Sequence, residues 1–147
     1  MKKDLPSSPQ QWLEVIQTCA NEADSIASHY FNSSKFKVLE KKDNSPVTEA
    51  DQEIEKCIRK YIIDTFPDIG VIGEEFESCD KDTPIKLIVD PIDGTSNFIR
   101  NIPICGTLIA IEVNKKIVAG LVSNGITKER WTAAKDCGAH YNNTPIK

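Results

Sequence analysis

Asp90-Pro91-Ile92-Asp93-Gly94-Thr95-Ser96-Asn97-Phe98 packs two carboxylates, a glycine and two side-chain hydroxyls behind an apolar run. Segments of this kind, carried at the end of a rigid element, commonly bear function. Two carboxylates three residues apart across a proline-containing turn can converge on one hard divalent cation, with an intervening backbone carbonyl as a further oxygen ligand. That donor set suits magnesium better than zinc. Gly94 lets the backbone approach a ligand closely. If Thr95 opens a helical turn, its amides and the positive end of the dipole favour a phosphate.

Acids and an anion site side by side conflict unless metal is present. Glu74, Glu75, Asp90 and Asp93 would repel a phosphate dianion, whereas two bound divalent ions reverse the local field. Two other motifs share letters with this one. An EF-hand requires a glutamate at loop position twelve, where Asn101 stands. An aspartyl-nucleophile phosphatase places its two acids at i and i+2, on one face of a strand, but here the spacing is i and i+3. Read alone, Asp51 is a carboxylate at the third position of a helix capping box.

The elements that must position these residues follow from periodicity. Ser8-Pro9-Gln10-Gln11 reads as a helix start, followed by Trp12, Val15, Ile16, Cys19, Ala20, Ala23, Ile26, Ala27 and Tyr30 at helical spacing. Asn32 to Pro46 reads mostly as loop, with Phe36 to Leu39 a short strand or hairpin tip. Thr48-Glu49-Ala50-Asp51 opens a second helix with the stripe Ile54, Cys57, Ile58, Tyr61, Ile62 and Phe66, and Pro67 stops it. Gly70–Gly73 and Ile85–Val89 read as strands that deliver acids. From Gly106 a β-meander begins, with strands to Val113, from Ile117 to Ser123 and from Arg130 to Ala134, and a last hairpin over Ala139 to Ile146. The expected fold class is α+β, with two N-terminal helices packed on one face of a mostly antiparallel sheet.

Composition bounds the function. At 147 residues, 39% apolar and 27% charged, the chain is an ordinary globular sequence, and its net charge of -4 argues against a nucleic-acid partner. The five cysteines are widely spaced and form no C-x-x-C, so they read as buried thiols in a reducing compartment. No leader pattern or membrane-length apolar run is present, and a cytoplasmic location is expected. His29 and His140 carry no role beyond structure. Trp131 belongs to core or interface.

The nine residues from Asp90 to Phe98 are similar, letter for letter, to the signature of the inositol monophosphatase family. Lys42 to Asp51 and Ile72-Gly73-Glu74-Glu75 resemble that family's upstream blocks, in order and spacing. The resemblance implies that Glu74, Asp90, the Ile92 carbonyl and Asp93 bind Mg²⁺ and that Gly94 and Thr95 contact phosphate. It also implies that Asp51 and Thr95 orient and deprotonate the attacking water. The implied activity is lithium-sensitive hydrolysis of a small phosphate monoester by metal-activated water, with no membrane or nucleic-acid partner. Pro103 to Ala110 and Lys128 to Trp131 resemble the histidinol-phosphate phosphatase branch, although kinship of fold does not fix a substrate.

The family's later domain carries a Trp-Asp block near an Ala-Ala-Gly segment, and residues 1–147 hold none. Trp131 to Asp136 puts its acid in the wrong place. The expectation is therefore an N-terminal inositol monophosphatase-like domain over 1–147 with the family's C-terminal domain absent. In that case catalysis by the chain alone is crippled, the alternative is a non-catalytic metal- and phosphate-binding remnant, and an uncovered apolar face invites association into a homodimer.

Overall fold

The computed structural model describes residues 1–79 and 82–147. Helix α1 (Pro9–Ser33) starts where the Ser8 hydroxyl accepts from the Gln11 amide. Pro9 follows, with no amide to leave unpaired. The Gln11 side chain reaches back to the Ser7 amide at 2.8 Å rather than to Ser8, so the start is capped without a closed box. The helix ends at Ser34, which takes a left-handed conformation and bonds the Tyr30 carbonyl.

Val38–Glu40 (β1), which is exposed, pairs antiparallel with Pro46–Thr48 (β2), whose Val47 and Thr48 are buried, and this hairpin delivers the chain to α2 (Glu49–Thr65). Thr48 and Asp51 form a reciprocal capping box at the start of α2. The α2 stripe is buried at Ile54, Ile58 and Ile62.

Gly70–Gly73 (β3) runs parallel to Ile85–Asp93 (β4). The short helix α3 (Thr95–Ile99) follows. Then come β5 (Gly106–Val113), β6 (Lys116–Asn124), β7 (Glu129–Ala134), β8 (Gly138–Tyr141) and β9 (Thr144–Ile146). Strands β3 to β9 form one seven-stranded sheet in sequence order, antiparallel except at its first pair. The α+β arrangement expected from periodicity is the one found. Most strand ends shift by a residue or two, and one boundary differs more. The strand expected to end at Val89 continues to Asp93, because β5 pairs with it through Asp90↔Leu108 and, past an irregularity, Asp93↔Gly106. The two acids therefore sit on a bulged strand end and not on a free loop.

Alternation sets the two faces of the sheet. Leu87, Val89, Ile109, Ile111, Ala119 and Leu121 are buried beneath the helices. α1 lies on β5, β6 and β7, and α2 lies on β4. Small residues on α1, Cys19, Ala20, Ala23 and Ala27, permit close approach. Leu108, Gly120, Val122 and Trp131 belong to the opposite face and line an apolar trough of about 790 Å³. All five cysteines are free thiols. Burial pushes the Cys19 thiol up to about 12 and the Cys105 thiol to about 11, which keeps both unreactive. The buried-thiol expectation holds for Cys19 alone: Cys57, Cys79 and Cys105 are partly exposed, and Cys137, in the β7–β8 turn, is exposed.

Candidate active site

The acids meet where three elements converge: the start of α2, the segment after β3, and the bulged end of β4 with its turn into α3. A hollow of about 280 Å³ lies there, lined by Lys41, Glu74, Asp90, Asp93, Thr95 and their neighbours. It is smaller than the trough on the sheet. The trough is predominantly apolar, with Lys135 and His140 among its few polar lining residues, whereas the hollow gathers Glu74, Asp90, Asp93 and Thr95, so the acid-lined hollow is the candidate site.

Asp51 is 1% exposed. Its Oδ2 accepts from the Thr48 amide at 2.8 Å and the Thr48 hydroxyl at 2.6 Å. Its Oδ1 accepts from the Thr95 hydroxyl at 3.2 Å. One carboxylate thus caps α2 and reaches the β4–α3 turn. Burial raises its pKa, opposed by the hydrogen bonds from Thr48 and Thr95. The Thr95 Oγ also lies 2.9 Å from the Ile92 carbonyl. Its single proton has two acceptors and can serve only one at a time.

Asp90 is the most perturbed acid. Burial, a hydrogen bond shared with Glu74 and the charges of Glu74, Asp93 and Asp51 push its pKa up to about 8. Its Oδ1 is buried with no hydrogen-bond partner. Asp93, three residues on, is exposed.

Gly94 is in the left-handed region at φ 83°, and a β-carbon there would lie 2.9 Å from the Ile104 carbonyl oxygen. Its own carbonyl accepts from the Asn97 and Phe98 amides, closing the first turn of α3. The leading amides of Thr95 and Ser96 have no intrahelical acceptor.

The tandem acids separate. Glu74 has a half-exposed side chain, whereas the Glu75 side chain is 3% exposed and its Oε1 pairs with Lys41 Nζ at 2.9 Å. Desolvation raises the Glu75 pKa, and Lys41 opposes the rise. Desolvation alone would lower the Lys41 pKa, but its hydrogen bond and attraction to Glu75 and the charge of Glu74 outweigh it and raise the pKa. Glu74, and not Glu75, is therefore turned toward Asp90.

Of the residues singled out by spacing and motif, Glu74, Asp90, Ile92, Asp93, Gly94 and Thr95 line this hollow, Asp51 reaches it through Thr95, and Glu75 is turned away to Lys41. Sequence reasoning passed over two others. Lys41 supplies a cation from the hairpin, and no periodicity marks it. Glu55, fully buried on α2, contacts the backbone after β3. An acid flanking Ile54 in the apolar stripe, with Arg59 four residues on, was the readable sign of it. Among the described residues, no three His, Cys, Asp or Glu side chains are already gathered as a ligand cluster. A cation here would draw on the Ile92 carbonyl as well as on carboxylates.

Known proteins resemble this chain in sequence and fold. A histidinol-phosphatase of Chlorobaculum parvum is 36% identical over 135 residues, covering 92% of this chain and 52% of that protein. An inositol-1-monophosphatase of Rhizobium meliloti is 31% identical over 134 residues, covering 90% and 50%. The crystal structure of the extragenic suppressor protein suhB from Bartonella henselae superposes with a TM-score of 0.87 at 32% identity, over 93% of this chain and 54% of that one. The chain thus spans about half the length of the relatives it matches. The model of the inositol monophosphatase family matches residues 8–147. With that match spanning the capped α2, the Glu74 turn and the bulged β4 end, the chain belongs to the inositol monophosphatase family.

Proposed function

We propose that residues 1–147 form the metal- and phosphate-binding domain of a Mg²⁺-dependent phosphomonoesterase that acts in the cytoplasm on a small phosphorylated metabolite. The observation that carries this reading is the Thr95 hydroxyl, held between Asp51 Oδ1 and the Ile92 carbonyl beside the unpartnered Asp90 Oδ1.

The residues fit a hard divalent cation. Asp90 retains a proton up to about 8 because burial desolvates it and neighbouring carboxylates crowd it. A cation bound there would replace that proton. Glu74, Asp90, Asp93 and the Ile92 carbonyl would hold it, and the carbonyl's second lone pair remains available beside Thr95. When bound, divalent cations supply Lewis acidity and offset the charge of the phosphate.

The remaining work belongs to side chains and amides. The Thr95 Oγ accepts a proton from a water and passes its own to Asp51 Oδ1, and burial makes Asp51 a better base than an exposed carboxylate. The leading amides of α3, reached past Gly94, bind the phosphate oxygens.

Histidinol phosphate and inositol monophosphate are both candidate substrates, and the relatives reported above bear both names. The second reading is a metal- and phosphate-binding domain without turnover. Phosphate release by the purified chain, assayed with each ester, with and without Mg²⁺, and for Asp93→Asn and Thr95→Val, separates the two. The first reading expects turnover that needs the metal and drops at least about 100-fold in either variant, as loss of a proton-transfer or charge-stabilising group does. Mg²⁺ binding without phosphate release by folded protein would establish the second.

A further inference from the structure

Glu55 is a carboxylate with no exposure to solvent, a position that is strongly unfavourable unless every lone pair is used. It is used fully. Oε2 accepts from the Glu75 amide at 2.7 Å, and Oε1 accepts from the Phe76 amide at 3.2 Å and from Arg59 Nε at 2.8 Å. A terminal nitrogen of Arg59 also lies 2.8 Å from Oε1 and donates to the Phe76 carbonyl at 3.3 Å. A β-carbon at Gly73 would overlap the Glu55 carboxylate, so a glycine is required there by the acid packed against it.

These contacts bracket Glu74. The residue before it lies against the carboxylate, and the two residues after it are tied to the same group. Glu55 also stands four residues after Asp51, so the two share one face of α2. One helix therefore sets both walls of the site, Asp51 through Thr95 and Glu55 through the Glu74–Phe76 backbone.

We propose that Glu55, with Arg59 and Gly73, is a positioning residue that fixes the backbone around Glu74 so that its carboxylate faces Asp90, and thereby sets the affinity of the cation site. The proposal rests on reading Glu74, Asp90 and Asp93 as cation ligands. A carboxylate ligand whose backbone is free to turn must be ordered on binding, and that ordering opposes affinity. Groups that orient ligands from behind commonly change metal affinity 10–100-fold.

The test compares the 147-residue chain with Glu55→Gln, which keeps the shape but replaces one accepting oxygen with a donor facing the backbone amides. Amide hydrogen exchange in the metal-free chains reads the clamp itself. Mn²⁺ binding followed by electron paramagnetic resonance reads the site. Ile16→Val, in the core on α1, controls for general destabilisation. The expected result is protection at Glu75 and Phe76 in the parent, lost at least about tenfold in Glu55→Gln, with Mn²⁺ affinity lower by about 10–100-fold. Ile16→Val should lower the melting temperature and leave Mn²⁺ affinity unchanged. If Glu55→Gln does not fold, Arg59→Gln retains the carboxylate, frees the Phe76 carbonyl and should shift both readouts in the same direction. Parent-like protection at Glu75 and Phe76, or Mn²⁺ affinity within about twofold of the parent in a folded variant, overturns the proposal. A parent chain that binds no Mn²⁺ sinks the cation reading itself, while the exchange data still judge the clamp.

Discussion

At the scale of single residues, the chemistry concentrates in Asp90. Its proton is held to about 8 by burial first, then by the hydrogen bond and charge of Glu74 and by the charges of Asp93 and Asp51. The sign of the consequence is fixed by linkage. The unfolded chain releases that proton near the ordinary value of 3.8 and the folded chain retains it to about 8, so the stability this group contributes falls as pH rises between those values. Asp51 and Glu75, both raised by burial, act in the same direction. Urea unfolding of the metal-free chain should show a lower midpoint at pH 8.5 than at pH 5. Added Mg²⁺ should raise the midpoint at pH 8.5 and change it little at pH 5, where protons compete for the same oxygens. A midpoint that does not fall with pH would contradict the crowding at Asp90. The nine-residue run made Asp90 and Asp93 easy to find. Which of Glu74 and Glu75 faces the site was not legible, because it depends on Lys41, 34 residues away on the β1–β2 hairpin.

At the scale of elements, capped helices and bulged strand ends aim the side chains. The Thr48–Asp51 box was readable from residue type alone. The continuation of β4 through Asp93 was not, since Pro91 and Gly94 read as loop until β5 supplies the pairing partner. Gly94 is where the β4–α3 turn is least tolerant. An alanine there would take an unfavourable left-handed conformation, costing about 1–2 kcal/mol. It would also press its β-carbon on the Ile104 carbonyl. Gly94→Ala should therefore lower stability in urea by at least that amount and weaken phosphate binding, measured by calorimetry with inorganic phosphate. Gly138 also has a positive φ, 76°, with open space around it, so Gly138→Ala should show the conformational part alone.

At the scale of the whole molecule, the sheet has one face beneath two helices and one face open. Val122 and Trp131 are each 39% exposed, and Ile117 and Ile146 more so. Trp131 and Tyr141 stack at 5.2 Å across β7 and β8. A continuous apolar trough of this size favours association. Sedimentation velocity should show the chain's mean mass rising with concentration, and Val122→Lys should hold it at the monomer. A parent chain that stays monomeric at every concentration would show that the trough is tolerated in water. No helix among the described residues is long and apolar enough to cross a membrane, so the trough is the main apolar feature to be accounted for.

Taken by itself, the sequence determined what local interactions decide: both helix starts, the period-two strands, and the acid–glycine–hydroxyl run that points to a cation and a phosphate. Those features depend on neighbours within a few residues, so spacing and residue type suffice. The tertiary structure decided what distant partners impose. Lys41 draws Glu75 inward, β5 extends β4 through both aspartates, Asp51 reaches Thr95 across 44 residues, and Glu55 holds the backbone beside Glu74. Those outcomes follow from burial and from hydrogen bonds closed between segments, and neither exists until the chain has folded.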